Sequence, residues 1–300
     1  MKSITSNELA ALAAEDVAII DVMTPEDYAE RHLPEAISAC IYEVVFLDRV
    51  HGAVPDRGAR IVIYDATDTT RAARQAVERL QADGYTDLAI LVGGLAGWLA
   101  EGRPVVGSPA PPAVPTLADG RYELDPENSR LEWTGRNINN RHLGTVGLAS
   151  GWAAVCCNSL CAGVVTLDLT RIANRDLADA GWRGMLESHL KSADFFDVAQ
   201  YPTGTVTLTG GEPIGQVPAG TANFRFRALL TLKGITHDLE FPAVVEPQGD
   251  GSVKVQATFA IDRTRWDITY GSGRFFERLG MHLVHDEVGI DLFLIFRPTE

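Results

Sequence analysis

The segment Val105-Val106-Gly107-Ser108-Pro109-Ala110-Pro111-Pro112-Ala113-Val114-Pro115-Thr116 divides the chain into two textures that one sheet cannot hold together. Its prolines and small residues make an extended, semi-rigid spacer. Before it, apolar runs alternate with helical stretches. After it, apolar and polar residues alternate with a period of two. The expected organisation is therefore a first domain at residues 1–106, a Pro-rich linker at 107–119 and a second domain at 120–300. A chain of 300 residues is long enough for two cores.

In the first half, Ser6 is placed to cap a short helix with Leu9 and Leu12 on its buried face. Val17 to Val22 reads as a buried parallel strand. Thr24 and Pro25 open a helix, with Pro25 at the favoured first position. Ala36–Ile41 is a further strand. Ile61–Tyr64 is a strand, followed by a helix over Arg71–Ala82 that Gly84 ends. Leu88–Val92 is a strand, followed by a helix over Leu95–Ala100 that Gly102 ends. This alternation predicts an α/β layer fold around a parallel sheet.

In the second half, Arg130–Thr134, Gly163–Leu169 and Thr205–Thr209 alternate, the last turning at Gly210-Gly211. Phe224, Phe226, Ala228, Leu230 and Leu232 share one face. Val253, Val255, Ala257, Phe259 and Ile261 share another, after a turn at Gly249-Asp250-Gly251. Val288, Ile290, Leu292, Leu294 and Phe296 share a third, and Phe293 and Ile295 make the opposite face of that run apolar too. Such a strand calls for cover on both sides. One helical insert, around Met185–Leu190, interrupts the strands. Many antiparallel strands with one short helix predict a closed barrel or sandwich without free edges.

Two stretches of the second half mix polar groups with aromatics. Thr134 to His142 is too polar for a barrel strand, and places Arg136, Asn137, Asn140, Arg141 and His142 as a candidate polar mouth. The other reading of this stretch is a turn satisfied by its own backbone. Trp266, Tyr270, Arg274, Phe275 and Phe276 form the second cluster and suit a cavity for an apolar ligand with a polar head.

Asp21-Val22-Met23-Thr24-Pro25-Glu26-Asp27-Tyr28, with His32-Leu33-Pro34-Glu35-Ala36 and Gly93-Gly94-Leu95-Ala96-Gly97-Trp98, resembles the motifs of a rhodanese-like domain. The resemblance implies sulfurtransferase chemistry on a Cys standing just after the strand at Ile61–Tyr64. Asp65 occupies that position, in the loop Asp65-Ala66-Thr67-Asp68-Thr69-Thr70-Arg71. A carboxylate cannot carry sulfane sulfur, and Asp68 adds negative charge where the family attracts anions. The loop of Asp65, Asp68 and Arg71 therefore reads as degenerate, and the expectation leans against an enzyme. Cys40 is the alternative nucleophile.

Tyr122-Glu123-Leu124-Asp125-Pro126, His189-Leu190-Lys191-Ser192-Ala193-Asp194-Phe195-Phe196 and Ile261-Asp262-Arg263-Thr264-Arg265-Trp266 resemble the YceI-like, lipocalin-like family. That resemblance implies an eight-stranded barrel whose apolar lumen binds a polyisoprenoid, an isoprenoid quinone or a similar lipid. The expected function is a non-catalytic binding or carrier protein. The alternatives are a sulfurtransferase using a non-standard Cys and a protein-interaction scaffold.

A net charge of −14 argues against a nucleic-acid partner and against attraction of the whole chain to anionic membrane. No stretch reads as a signal peptide or a membrane span, so a cytoplasmic location is expected. Cys40, Cys156, Cys157 and Cys161 are then most simply reduced thiols, with Cys157 and Cys161 the pair able to meet across a turn. His282 and His285 make a His-x-x-His without a third ligand at a fixed spacing, and no metal is assigned. No cofactor is firmly implied beyond a bound isoprenoid lipid or quinone.

Overall fold

A computed structural model describes residues 2–12, 17–108 and 116–299. The Pro109–Pro115 part of the expected linker lies outside these residues. The chain divides into two compact units, 1–113 and 114–300.

The first unit runs β1 (Lys2–Ile4), α1 (Ser6–Ala10), β2 (Ala18–Asp21), α2 (Pro25–Glu30), β3 (Arg31–His32), β4 (Ile37–Ser38), α3 (Phe46–Ala53), β5 (Arg60–Tyr64), α4 (Ala72–Ala82), β6 (Asp87–Leu91), α5 (Gly94–Ala100) and β7 (Val106–Gly107). Five strands form a parallel sheet in the order β1-β6-β5-β2-β4. The period of two in β5 divides the core. Ile61 and Ile63 pack with α3 and α4, while Val62 and Tyr64 pack with Leu9, Leu95 and Trp98 on the other face.

Three local expectations change. Thr5, not Ser6, caps α1, because its hydroxyl accepts from the Glu8 N–H while the Glu8 carboxylate takes the Thr5 N–H at 2.8 Å. The Ala36–Ile41 strand shortens to Ile37–Ser38. The last strand of the first unit reaches Gly107, inside the expected linker, where it pairs with β3.

The second unit runs β8 (Gly120–Leu124), β9 (Arg130–Arg136), β10 (Arg141–Cys156), β11 (Ser159–Asn174), α6 (Ala180–Lys191), β12 (Thr203–Pro213), β13 (Phe224–Leu232), β14 (Ile235–Pro247), β15 (Val253–Asp262) and β16 (Glu287–Pro298). Neighbours pair antiparallel from β10 through β16. The ring closes because β8 and β9 share one strand position. Both lie between β16 and β10, β8 opposite Phe296–Pro298 and β9 opposite Gly289–Phe293. The result is a closed barrel of eight positions, in which β14 and β15 pair only over Val244–Pro247 and Val253–Gln256.

The three apolar faces read from the sequence all turn into the barrel core. Phe293 and Ile295, on the outer face of β16, are only half-buried, so that strand is not fully covered on its second side. Gly210-Gly211 is not a turn. It sits inside β12 at a shift of register, and a Cβ at Gly211 would come within 2.5 Å of the Phe226 ring. The cysteines of the β10–β11 hairpin also differ from expectation. Cys156 and Cys161 are disulfide-linked, with Cα atoms 6.1 Å apart, while Cys157 is a free, exposed thiol at the turn.

Candidate functional site

The inward residues of an eight-position barrel are set by strand alternation, and here they leave space. A cavity of about 340 Å³ fills the end of the barrel near α6, and a second of about 100 Å³ fills the other end. Leu131, Leu167, Val206, Phe241 and Leu292 line both, forming a waist between two chambers of one lumen. The larger volume falls in the usual range for small-ligand pockets, about 300–1,000 Å³.

The larger chamber is apolar except at its rim. Leu186 and Leu190, four apart on α6, lie over it with His189. The loop from Asp267 to Asp286 contributes Ile268, Tyr270, Val284 and His285. Arg263 holds that loop in place. It is buried, and its guanidinium donates to the carbonyls of Ile268 (2.6 Å), His285 (3.0 Å) and Val284 (3.2 Å). Burial lowers its pKa, and the nearby Asp286 and Asp262 carboxylates pull it back up.

The polar rim holds Arg136, Asn137, His142, His189, His285 and Arg263, and none of the described lining residues is a carboxylate. His142 Nδ1 lies 2.9 Å from Asp176, whose other oxygen accepts from the Leu143 N–H and from Asn174. Burial pulls the Asp176 carboxyl upward, but these hydrogen bonds outweigh it and hold its pKa low. His189 packs edge-on against Tyr270 at 4.4 Å. The Arg136 side chain makes no hydrogen bond or ion pair among the described residues. The Trp133 indole lines the chamber, and its buried N–H has no partner there either. An unmet buried donor of this kind costs about 1–3 kcal/mol.

The candidate ligand residues thus separate. Arg136, Asn137, His142 and Tyr270 line the chamber. The others lie outside it. Asn140 and Arg141 stand exposed at the turn, where the Asn137 carboxamide accepts from the Asn139 and Asn140 N–H groups. Trp266 is fully buried, and its indole N–H donates to the Leu230 carbonyl at 2.9 Å. Arg274 pairs with Asp262 at 2.8 Å and Asp286 at 3.4 Å. Phe275 and Phe276 face solvent. Sequence reasoning missed the helix contribution, although Leu186 and Leu190, four apart, make an apolar stripe on a helix whose other residues are exposed or half-buried. His282 is exposed and His285 joins the rim. Among the described residues, no group of three His, Cys, Asp or Glu side chains is disposed to hold a metal ion.

In the first unit, Asp65 is buried and lines a cavity together with Met23, Asp27, Arg31 and Tyr42. Its carboxylate accepts from the Asp68 N–H (2.7 Å), the Thr70 hydroxyl (2.6 Å) and the Ala73 N–H (3.4 Å). Asp68 in turn accepts from the Gly93 N–H at 2.6 Å. Gly94, at φ +54°, lets α5 close on this loop, since a Cβ there would meet the Asp65 carbonyl at 2.4 Å. Arg71 is exposed, and Cys40 is buried.

The YceI-like domain model matches residues 122–296, more than half of the chain. The chain belongs to the YceI-like family. Ahead of this YceI-like barrel, the Rhodanese-like domain model matches residues 5–101. Among solved structures, BcnA of Burkholderia cenocepacia is 20% identical over 57% of this chain and 98% of its own, with a TM-score of 0.45. A polyisoprenoid binding domain from Saccharophagus degradans is 14% identical over 59% of this chain and 98% of its own, TM-score 0.44. A thiosulfate sulfurtransferase from Pseudomonas aeruginosa is 30% identical over 36% of this chain and 20% of its own, TM-score 0.33. Comparison with curated proteins finds no match. No described helix is long and apolar enough to cross a membrane.

Proposed function

We propose that the YceI-like barrel is a carrier for one long apolar lipid of the isoprenoid or isoprenoid-quinone kind, and that the rhodanese-like unit transfers no sulfur. The observation that carries this reading is the two-chamber lumen, apolar along its length and polar at one rim. Burying the chain there supplies about 0.8 kcal/mol per CH₂ removed from water. The head of the ligand stays at the rim, among Arg136, Asn137, His142 and His285. A ligand oxygen also offers the Trp133 N–H the partner it lacks.

The sulfur-free reading of the first unit rests on Asp65. The donors that the rhodanese-like family turns toward a reactive sulfur are taken here by a fixed carboxylate. Cys40, the substitute nucleophile, is buried against the sheet. Mass spectrometry of an organic extract of the purified chain tests the carrier role. An assay with thiosulfate and cyanide tests the other half, and thiocyanate formation above background would contradict it.

A further inference from the structure

Six large apolar side chains stand in solvent on the elements that frame the wide end of the lumen. Ile138 is at the turn between β9 and β10, Trp182 and Met185 are on α6, and Phe275, Phe276 and Met281 are on the loop between β15 and β16. Their exposure runs from 49% at Phe276 to 77% at Met281. The same three elements send Asn137, Leu186, Leu190, Tyr270 and Val284 inward to the chamber. They also adjoin. Asn137 bridges to Val284, and His189 meets Tyr270. One exposed apolar residue needs no explanation, but six on contiguous elements mark an interaction surface. Trp and Phe together with aliphatic neighbours are the mix that seats in the headgroup layer of a bilayer.

The charge of this rim departs from that of the chain. Residues 136–142 carry Arg136 and Arg141 and no carboxylate, while the loop Asp267–Asp286 carries Arg274, paired with Asp262 and Asp286, and Arg278 against Asp267, Glu277 and Asp286, in a chain of net charge −14. Helix α6 adds Arg183 and Lys191 against Glu187. Arg136, Arg141 and Arg278 make no side-chain hydrogen bond or ion pair among the described residues, so their charge is available to a partner.

We infer that the rim docks on a lipid bilayer carrying anionic headgroups, with the mouth of the lumen opening onto the membrane. The inference rests on the carrier reading. A lipid tail, which water disfavours, passes between membrane and lumen without exposure to water once the mouth is docked.

Flotation of the full chain with vesicles tests it. The wild type floats with phosphatidylcholine–phosphatidylglycerol vesicles, and less with phosphatidylcholine alone. Phe275→Ser/Phe276→Ser and Trp182→Ser/Met185→Ser, both outside the lumen, each weaken partition roughly tenfold, or about 1.4 kcal/mol, with unchanged circular dichroism. A wild type that stays with the soluble fraction overturns the inference. So does unchanged flotation of both variants, or a dimer that the same substitutions dissolve. Lipid extraction of the same preparations separates the two readings. Vesicle binding with an empty lumen contradicts the carrier role alone, and a loaded lumen without vesicle binding contradicts docking alone.

Discussion

The Asp65 carboxylate accepts the backbone N–H of Asp68 at 2.7 Å, in the loop that joins β5 to α4. Asp65→Ala leaves the Asp68 and Ala73 N–H groups and the Thr70 hydroxyl without this acceptor. The expected cost is about 2 kcal/mol in the stability of the first unit. Asp65→Asn, which keeps an acceptor, costs less. Calorimetry of the full chain reads both; equal stability of all three proteins would contradict the role.

Asp21 is the buried carboxyl with a pH signature. Burial pushes its pKa from 3.8 up to about 6, against the downward pull of the Tyr64 hydroxyl and the Met23 N–H. The folded state therefore binds more protons than the unfolded state between these values. Stability is highest below pH 3.8 for this group and falls as pH rises through 6. At pH 7 the penalty approaches about 3 kcal/mol. Asp21→Asn is expected to raise the unfolding temperature of the first unit at pH 7 and to flatten its dependence between about pH 4 and 6, the interval between the unfolded and folded pKa. An unchanged pH profile would rule out Asp21 as the group.

Val206 lines both chambers at the waist. Val206→Trp closes the passage between them, at an overpacking cost of about 1–3 kcal/mol. The bound species is expected to shift to shorter chains, with the wide chamber still occupied. Extracted lipids of the same length as in the wild type would show that the far chamber is not used.

The Cys156–Cys161 link closes a short hairpin loop. Mass analysis of the non-reduced chain after alkylation should find two blocked thiols, Cys40 and Cys157. Cys161→Ser is expected to lower barrel stability by about 2 kcal/mol, as loop entropy gives for so short a ring. Four alkylated cysteines would contradict the pairing.

The strands were legible because alternation is local. The faces Phe224–Leu232 and Val288–Phe296 needed only their own period of two to be placed against the lumen. Features set by distant partners were not legible. Trp266 reads as a ligand contact beside Tyr270, yet the carbonyl its indole N–H meets belongs to Leu230, 36 residues away. Gly210-Gly211 has the composition of a turn, but the Phe226 ring across the ladder dictates small residues there. Helix α3 has no side-chain N-cap to announce it. At the site, the mouth was half legible. Arg136 and His142 are carried inward by strand ends, whereas Arg274 lies in a loop whose ion pairs no spacing reveals.

Mass spectrometry of an organic extract from the freshly purified full-length chain is the decisive test of the lumen. One long-chain lipid, near one per protein and replaced by a shorter species in Val206→Trp, is the expected result. A lumen that yields no lipid from any preparation, and takes none from added isoprenoid quinone or prenol, would contradict it.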